Sequence, residues 1–197
     1  MKLALPNLVL LLLASSGPTA GQTAHANDLA AALVEAAIER TTHRVTYDGS
    51  YRSIEYPGGD VPDSIGVCTD VVIRSFRGVG IDLQKSVHED MRTDFQAYPA
   101  IWGLARPDRN IDHRRVPNLQ AYFERHGEKL PVTRDPKDYR AGDIVTWMLP
   151  GNLPHIGIVA DERSGSDEPL IVHNIGRGPR LEAMLFAYPI TGHYRHP

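Results

Sequence analysis

The strongest constraint on how this chain can fold is a change of hydrophobic period near residue 140. Beyond that point apolar residues come in short β-rich runs at 143–148, 155–160, 170–175 and 183–188, each bounded by Gly, Pro or Ser. Upstream the spacing is helical. Ala30, Leu33, Val34, Ala37 and Ile38 recur on one face of 27–40, with Asn27 or Asp28 as cap. A second helix is expected from Cys68 to about Gly78, with Val71, Val72, Ser75 and Phe76 as its buried stripe. Leu83, Val87 and Met91 mark a third over 82–95, and a short fourth covers 119–123. Residues 41–56 and 106–118 read as irregular, and 56–62 as a loop. Helices first and an antiparallel sheet afterwards define an α+β fold.

The first 26 residues read as an export signal. Lys2 precedes the apolar run 8–13, and Ala24-His25-Ala26 fits a small-x-small cleavage site. The run is far shorter than the ~20 residues a spanning helix needs, which favours a cleaved leader over an anchor. Residues 27–197 then form a single domain, placed in the periplasm or outside the cell, with no membrane-spanning segment left. The formal net charge of −3 becomes −4 when Lys2 leaves, which argues against nucleic acid or anionic lipid as partner.

Cys68 is the sole cysteine, so no internal disulfide is possible. It is a buried small hydrophobe, an intermolecular partner or a reactive thiol. Its position after a glycine-bearing loop, at an expected helix N-terminus, favours the thiolate and hence the third reading. A nucleophile of this kind needs a base and an orienting group. His155 opens the apolar strand His155-Ile156-Gly157-Ile158 beside a loop, and His173 lies in the next run. A hairpin through 161–169 would make these two histidines neighbours, with Asn174 as the alternative third member.

The order of these blocks resembles the NlpC-type cell-wall peptidases, which are papain-like. The residues that carry the resemblance are Tyr56-Pro57-Gly58-Gly59, Gly66-Val67-Cys68-Thr69, Gly142-Asp143-Ile144-Val145, His155-Ile156-Gly157-Ile158 and Val172-His173. Nearly the whole chain after the leader resembles a narrower group, domain of unknown function 1287. Its blocks are Val67-Cys68-Thr69-Asp70, Val87-His88-Glu89-Asp90-Met91, Ile111-Asp112-His113-Arg114-Arg115 and Thr191-Gly192-His193-Tyr194. The resemblance implies a papain-like fold with the nucleophile helix packed on a small antiparallel sheet. It further implies Cys68 as nucleophile, His155 as base and His173 as the orienting residue, acting on a peptide or peptidoglycan-derived amide. The flanks Val67 and Thr69-Asp70 replace the Asp-Cys-Ser-Gly usual in NlpC-type peptidases, whose Asp and Ser help hold a peptide's free amine.

Tyr56, Thr69, Asp70 and His88 are expected on the substrate side of the cleft, together with Asp112, His113, Arg115 and Asn174. Arg106, Arg109, Arg114 and Arg115 form a basic cluster suited to a substrate carboxylate or to surface ion pairing. The spacing of His88-Glu89-Asp90 and Asp112-His113 matches no closed zinc motif, so no metal or other cofactor is expected. Two other readings compete with a cysteine amidase or peptidase: a metal-dependent hydrolase using the histidines, and a non-catalytic envelope-binding module.

Overall fold

The computed structural model of the chain describes residues 20–196, with side chains from residue 28, so most of the expected export signal lies outside the described residues. Helix α1 (Ala20–Arg40) begins upstream of the expected Asn27 and packs its Leu33–Val34–Ala37 stripe on α2 (Cys68–Gly78). Between them run β1 (Thr46–Tyr47), inside the segment expected to be irregular, and β2 (Ile65–Gly66), a short parallel pair. Helix α3 (Leu83–Thr93) is capped by Asp82, whose carboxylate accepts from the Gln84 N–H at 3.1 Å. A single 3-10 turn at Asp112–Arg114 leads into α4 (Val116–His126). No helix among the described residues is long and apolar enough to cross a membrane.

The rest of the chain forms one antiparallel sheet. Its strands are β3 (Glu128–Lys129), β4 (Ile144–Leu149), β5 (Leu153–Arg163), β6 (Pro169–His173), β7 (Arg180–Glu182) and β8 (Ile190–Arg195), in the order β3-β8-β4-β5-β6-β7. Strand alternation sends Ile144, Ile156, Ile158 and Val172 to the helices. Val145, Trp147, Val159 and Ile171 go to the other face, under Met184 and Leu185.

The run at 183–188 is therefore not a strand. Its apolar residues cover the sheet's second face, and the Trp147 Nε1–H donates to the Leu185 carbonyl at 2.8 Å. Strand β8 takes the ladder position instead. Its His193 is buried and its Arg195 half-buried, and Asp143 on the approach to β4 accepts from both, at 2.8 Å from His193 and at 2.7 and 2.8 Å from Arg195.

Candidate active site

Helix α2 starts where Asp70 folds back on the chain. Its carboxylate accepts the Val67 N–H at 2.6 Å, satisfying a donor just ahead of the helix. Gly66 leaves the necessary room, since a Cβ there would stand 3.1 Å from that of Asp70. Cys68 thus occupies the first turn of α2, 4% exposed.

Three groups surround its sulfur. The backbone amides of Ile156, next to His155, and of Thr69 lie near Sγ together with the Tyr47 side chain, and all three favour its charged form. The Cys68 backbone amide lies beside the same Tyr47 side chain. Tyr47 is nearly half exposed, so it forms the outer cover of the thiol.

The helix N-terminus does not produce the lowered thiol expected from sequence. Burial pushes Cys68 up to about 11; the donors around Sγ oppose this, and the Asp70 carboxylate adds to it. Removal from water outweighs a partial helix charge at this depth. Iodoacetamide should therefore react with Cys68 about tenfold faster for each pH unit between 7 and 9. A rate already at plateau near pH 7 would show a preformed thiolate instead.

His155 is buried on β5 against the Trp147 ring. Its Nε2 lies 3.0 Å from His173 Nδ1, and His173 Nε2 lies 3.2 Å from a Glu182 carboxylate oxygen. Gly157 makes this pairing possible. A Cβ there would fall 3.2 Å from that of His173 and 2.6 Å from Ile171 Cγ2, so any larger residue would push β6 away.

The partners also determine the tautomers. Burial holds His155 down at about 3, and burial lowers His173 against the pull of Glu182, so both rings are neutral near pH 7. A carboxylate can only accept, so His173 carries its proton on Nε2 and its Nδ1 accepts from His155 Nε2–H. His155 Nδ1 is left without a proton. That is the state a general base requires.

Asn174, the alternative partner, is buried elsewhere. Its amide donates to the Gly66 carbonyl at 3.4 Å and its oxygen accepts the Gly176 N–H at 3.0 Å. It braces the loop ahead of Cys68, and His173 holds His155. Thr69 and Asp70 face inward too: the Thr69 hydroxyl donates to the Arg114 carbonyl, and Asp70 forms a two-pronged pair with Arg114 at 2.8 and 2.9 Å. Asp112 is buried on Arg115 at 3.1 Å, and Arg115 lies over Trp102 at 4.1 Å. His88 stands edge-on to Tyr56, and Arg109 lies 5.7 Å over the Tyr56 ring. Among the described residues no three of His, Cys, Asp and Glu converge as a metal site would need.

Two members of the site carried no local signal in the sequence. Tyr47 lies in the segment 41–56 that read as irregular, and Glu182 sits in a three-residue strand whose register with β6 brings it to His173.

The buried histidines also make stability depend on pH. His155 at about 3 and His113 at about 4, both held down by burial, refuse protons that the unfolded chain takes up below 6.5. Their contribution is present above that value and lost as pH falls toward the folded values. Asp112, pushed up to about 6 by burial, works in the opposite sense with a smaller shift. These three shifts together remove about 3 kcal/mol from pH 7 to 4, or roughly 10 °C in Tm by calorimetry; a flat profile would contradict the buried neutral histidines.

Comparison with known proteins supplies a family and no activity. The family described as "Domain of unknown function (DUF1287)" matches residues 34–196. The uncharacterized protein YijF of Escherichia coli (strain K12) is 50% identical over 165 residues, covering 84% of this chain and 80% of that protein. The solved structure of NlpC1 from Trichomonas vaginalis aligns with 86% of this chain at 14% identity and a TM-score of 0.45, and the chain spans only 44% of its length.

Proposed function

Starting from the fact that the chain belongs to the DUF1287 family, we propose that it is a cysteine hydrolase of the bacterial envelope, cleaving an amide in peptidoglycan-derived peptides through a thioester intermediate. One observation carries this reading: the ordered series Glu182–His173–His155, which leaves a bare imidazole nitrogen on the residue adjoining the Ile156 amide that touches the Cys68 sulfur. A purely structural histidine pair has no need of a defined acceptor at its end.

In the proposed mechanism His155 Nδ1 takes the thiol proton as Sγ attacks the carbonyl carbon. Thiol and imidazole are both neutral at rest, so proton transfer accompanies attack. The imidazolium that forms is stabilised by His173, which Glu182 holds in orientation. The carbonyl oxygen, gaining charge, is stabilised by two nearby donors, the Cys68 N–H and the Tyr47 hydroxyl. His155 returns its proton to the leaving amine. Water, deprotonated by the same nitrogen, then cleaves the thioester and frees the thiol.

The envelope assignment rests on the leader read in residues 1–26, and the substrate class on that compartment together with the NlpC-type motif order. The test is digestion of purified peptidoglycan with mass analysis of the released fragments. Thiol alkylation should stop release and chelation should not; the reverse pattern would sink the cysteine mechanism.

A further inference from the structure

The arginines that sequence marked for a substrate carboxylate are largely engaged within the protein: Arg114 by Asp70, Arg115 by Asp112 and Trp102, Arg109 over Tyr56. A different set is not. The turn after α1 and the turn between β6 and β7 enclose an open groove of about 460 Å³, lined by Arg44, Arg177 and Arg180 with His43, Thr46 and Ser64. Among the described residues none of the three arginines is paired with a carboxylate; Arg180 donates only to the Arg177 carbonyl, at 3.5 Å. Glu39, at the end of α1, is already engaged by His43 and Arg40.

The groove adjoins the active site on both sides. Thr46 lines it, and the next residue, Tyr47, covers the Cys68 thiol. Arg180 lines it and pairs in register with His173. Gly178, at a φ of 82°, packs against the Val45 backbone, which joins the two turns into one wall.

We infer that this groove is an anion subsite that holds a carboxylate of an acidic peptide substrate. Three arginines from two segments line one concavity in a chain whose overall charge is negative. Solvated arginines scattered on a surface require no partner. Three that share a groove repel one another, and a carboxylate relieves this while accepting two parallel hydrogen bonds from a single fork. An extended substrate advances about 3.3 Å per residue, so a side-chain or terminal carboxylate within roughly three residues of the scissile bond falls within reach. The volume suits a few residues of peptide. This assignment rests on the hydrolase reading for its orientation and names the substrate class that reading leaves open.

The experiment separates the two. Cys68→Ala protein is immobilised, and soluble peptides released from purified peptidoglycan are passed over it, untreated or with their carboxylates converted to methylamides by carbodiimide coupling. Untreated peptides should be retained at least about tenfold more strongly, and 0.5 M NaCl should reduce the difference. Adding Arg44→Gln, Arg177→Gln and Arg180→Gln should remove it; all three residues are exposed, and each single substitution, expected at about three- to fivefold, serves if the triple variant does not fold. Equal retention of blocked peptides, unchanged retention by the arginine variants, or equally strong retention of a mixed-sequence DNA oligonucleotide overturns the subsite. Turnover by the unmodified protein is read separately. Turnover without carboxylate-dependent retention leaves the hydrolase and removes the subsite, and retention without turnover does the reverse.

Discussion

Cys68→Ala is expected to reduce release of peptidoglycan fragments by at least about 10⁴-fold, because no other group in the site can form the acyl intermediate. The residual rate would come from binding and from the donors at Cys68 N–H and Tyr47. The fold should survive. The thiol is one small group at the rim of a core that includes Val71, Val72, Ile73 and Phe76, and its loss costs about 1 kcal/mol, or roughly 3 °C in a domain of this size. A large fall in activity with a small fall in Tm identifies a chemical role. Full activity in Cys68→Ala would end the cysteine mechanism, and a collapse of Tm would move Cys68 to the structural side. His155→Ala should approach the same loss of rate, since the thiol, at about 11, does not ionise unaided near pH 7.

Asp70→Ala should have the largest effect on stability. Asp70 and Arg114 are each 2% exposed at the side chain and are joined by two hydrogen bonds. Arg114 also donates to the Ser50 and Asp48 carbonyls at 3.3 and 3.2 Å, so one guanidinium ties the nucleophile helix to the segment that carries Tyr47. Removing the carboxylate leaves a buried cation uncompensated and frees the Val67 N–H, at a cost of about 3–5 kcal/mol, or a fall of roughly 10 °C or more in Tm. Activity should fall with it even well below the melting point, because Tyr47 loses its anchor. The double variant Asp70→Leu, Arg114→Leu removes both charges and should be less destabilised than Asp70→Ala. If the double variant instead loses the sum of the two single changes, the two residues contribute independently and the uncompensated-charge account fails.

Much of the frame can be read in the chain. Helix α2 begins at Cys68 because a glycine-bearing loop gives way to a 3.6-residue stripe there, and α3 begins after Asp82 because that carboxylate caps it. Strands β4, β5 and β6 follow from apolar runs between turns. The run at 183–188 was misleading because an apolar segment can cover a sheet as readily as extend it, and periodicity does not separate the two. Strand β8 was hidden for the opposite reason: its polar residues are satisfied by Asp143, some fifty positions away.

The site divides along the same line. Cys68 at a helix start and the pairing of His155 with His173 were legible, because a helix stripe begins at the first and the two histidines lie in apolar runs joined by a turn. Whether His173 or Asn174 faces His155 depends on which side of β6 points to β5, and the register through Gly157 determines that. Glu182 and Tyr47 enter through pairings that local pattern does not encode. The change of period near residue 140 thus determined an α+β chain with a helix-borne cysteine and strand-borne histidines. Only the tertiary structure decided which nitrogen lacks its proton, which arginines are engaged and which line an open groove, and that the thiol rests neutral. Those are properties of burial and partnership, which arise only when distant segments exclude water from one another.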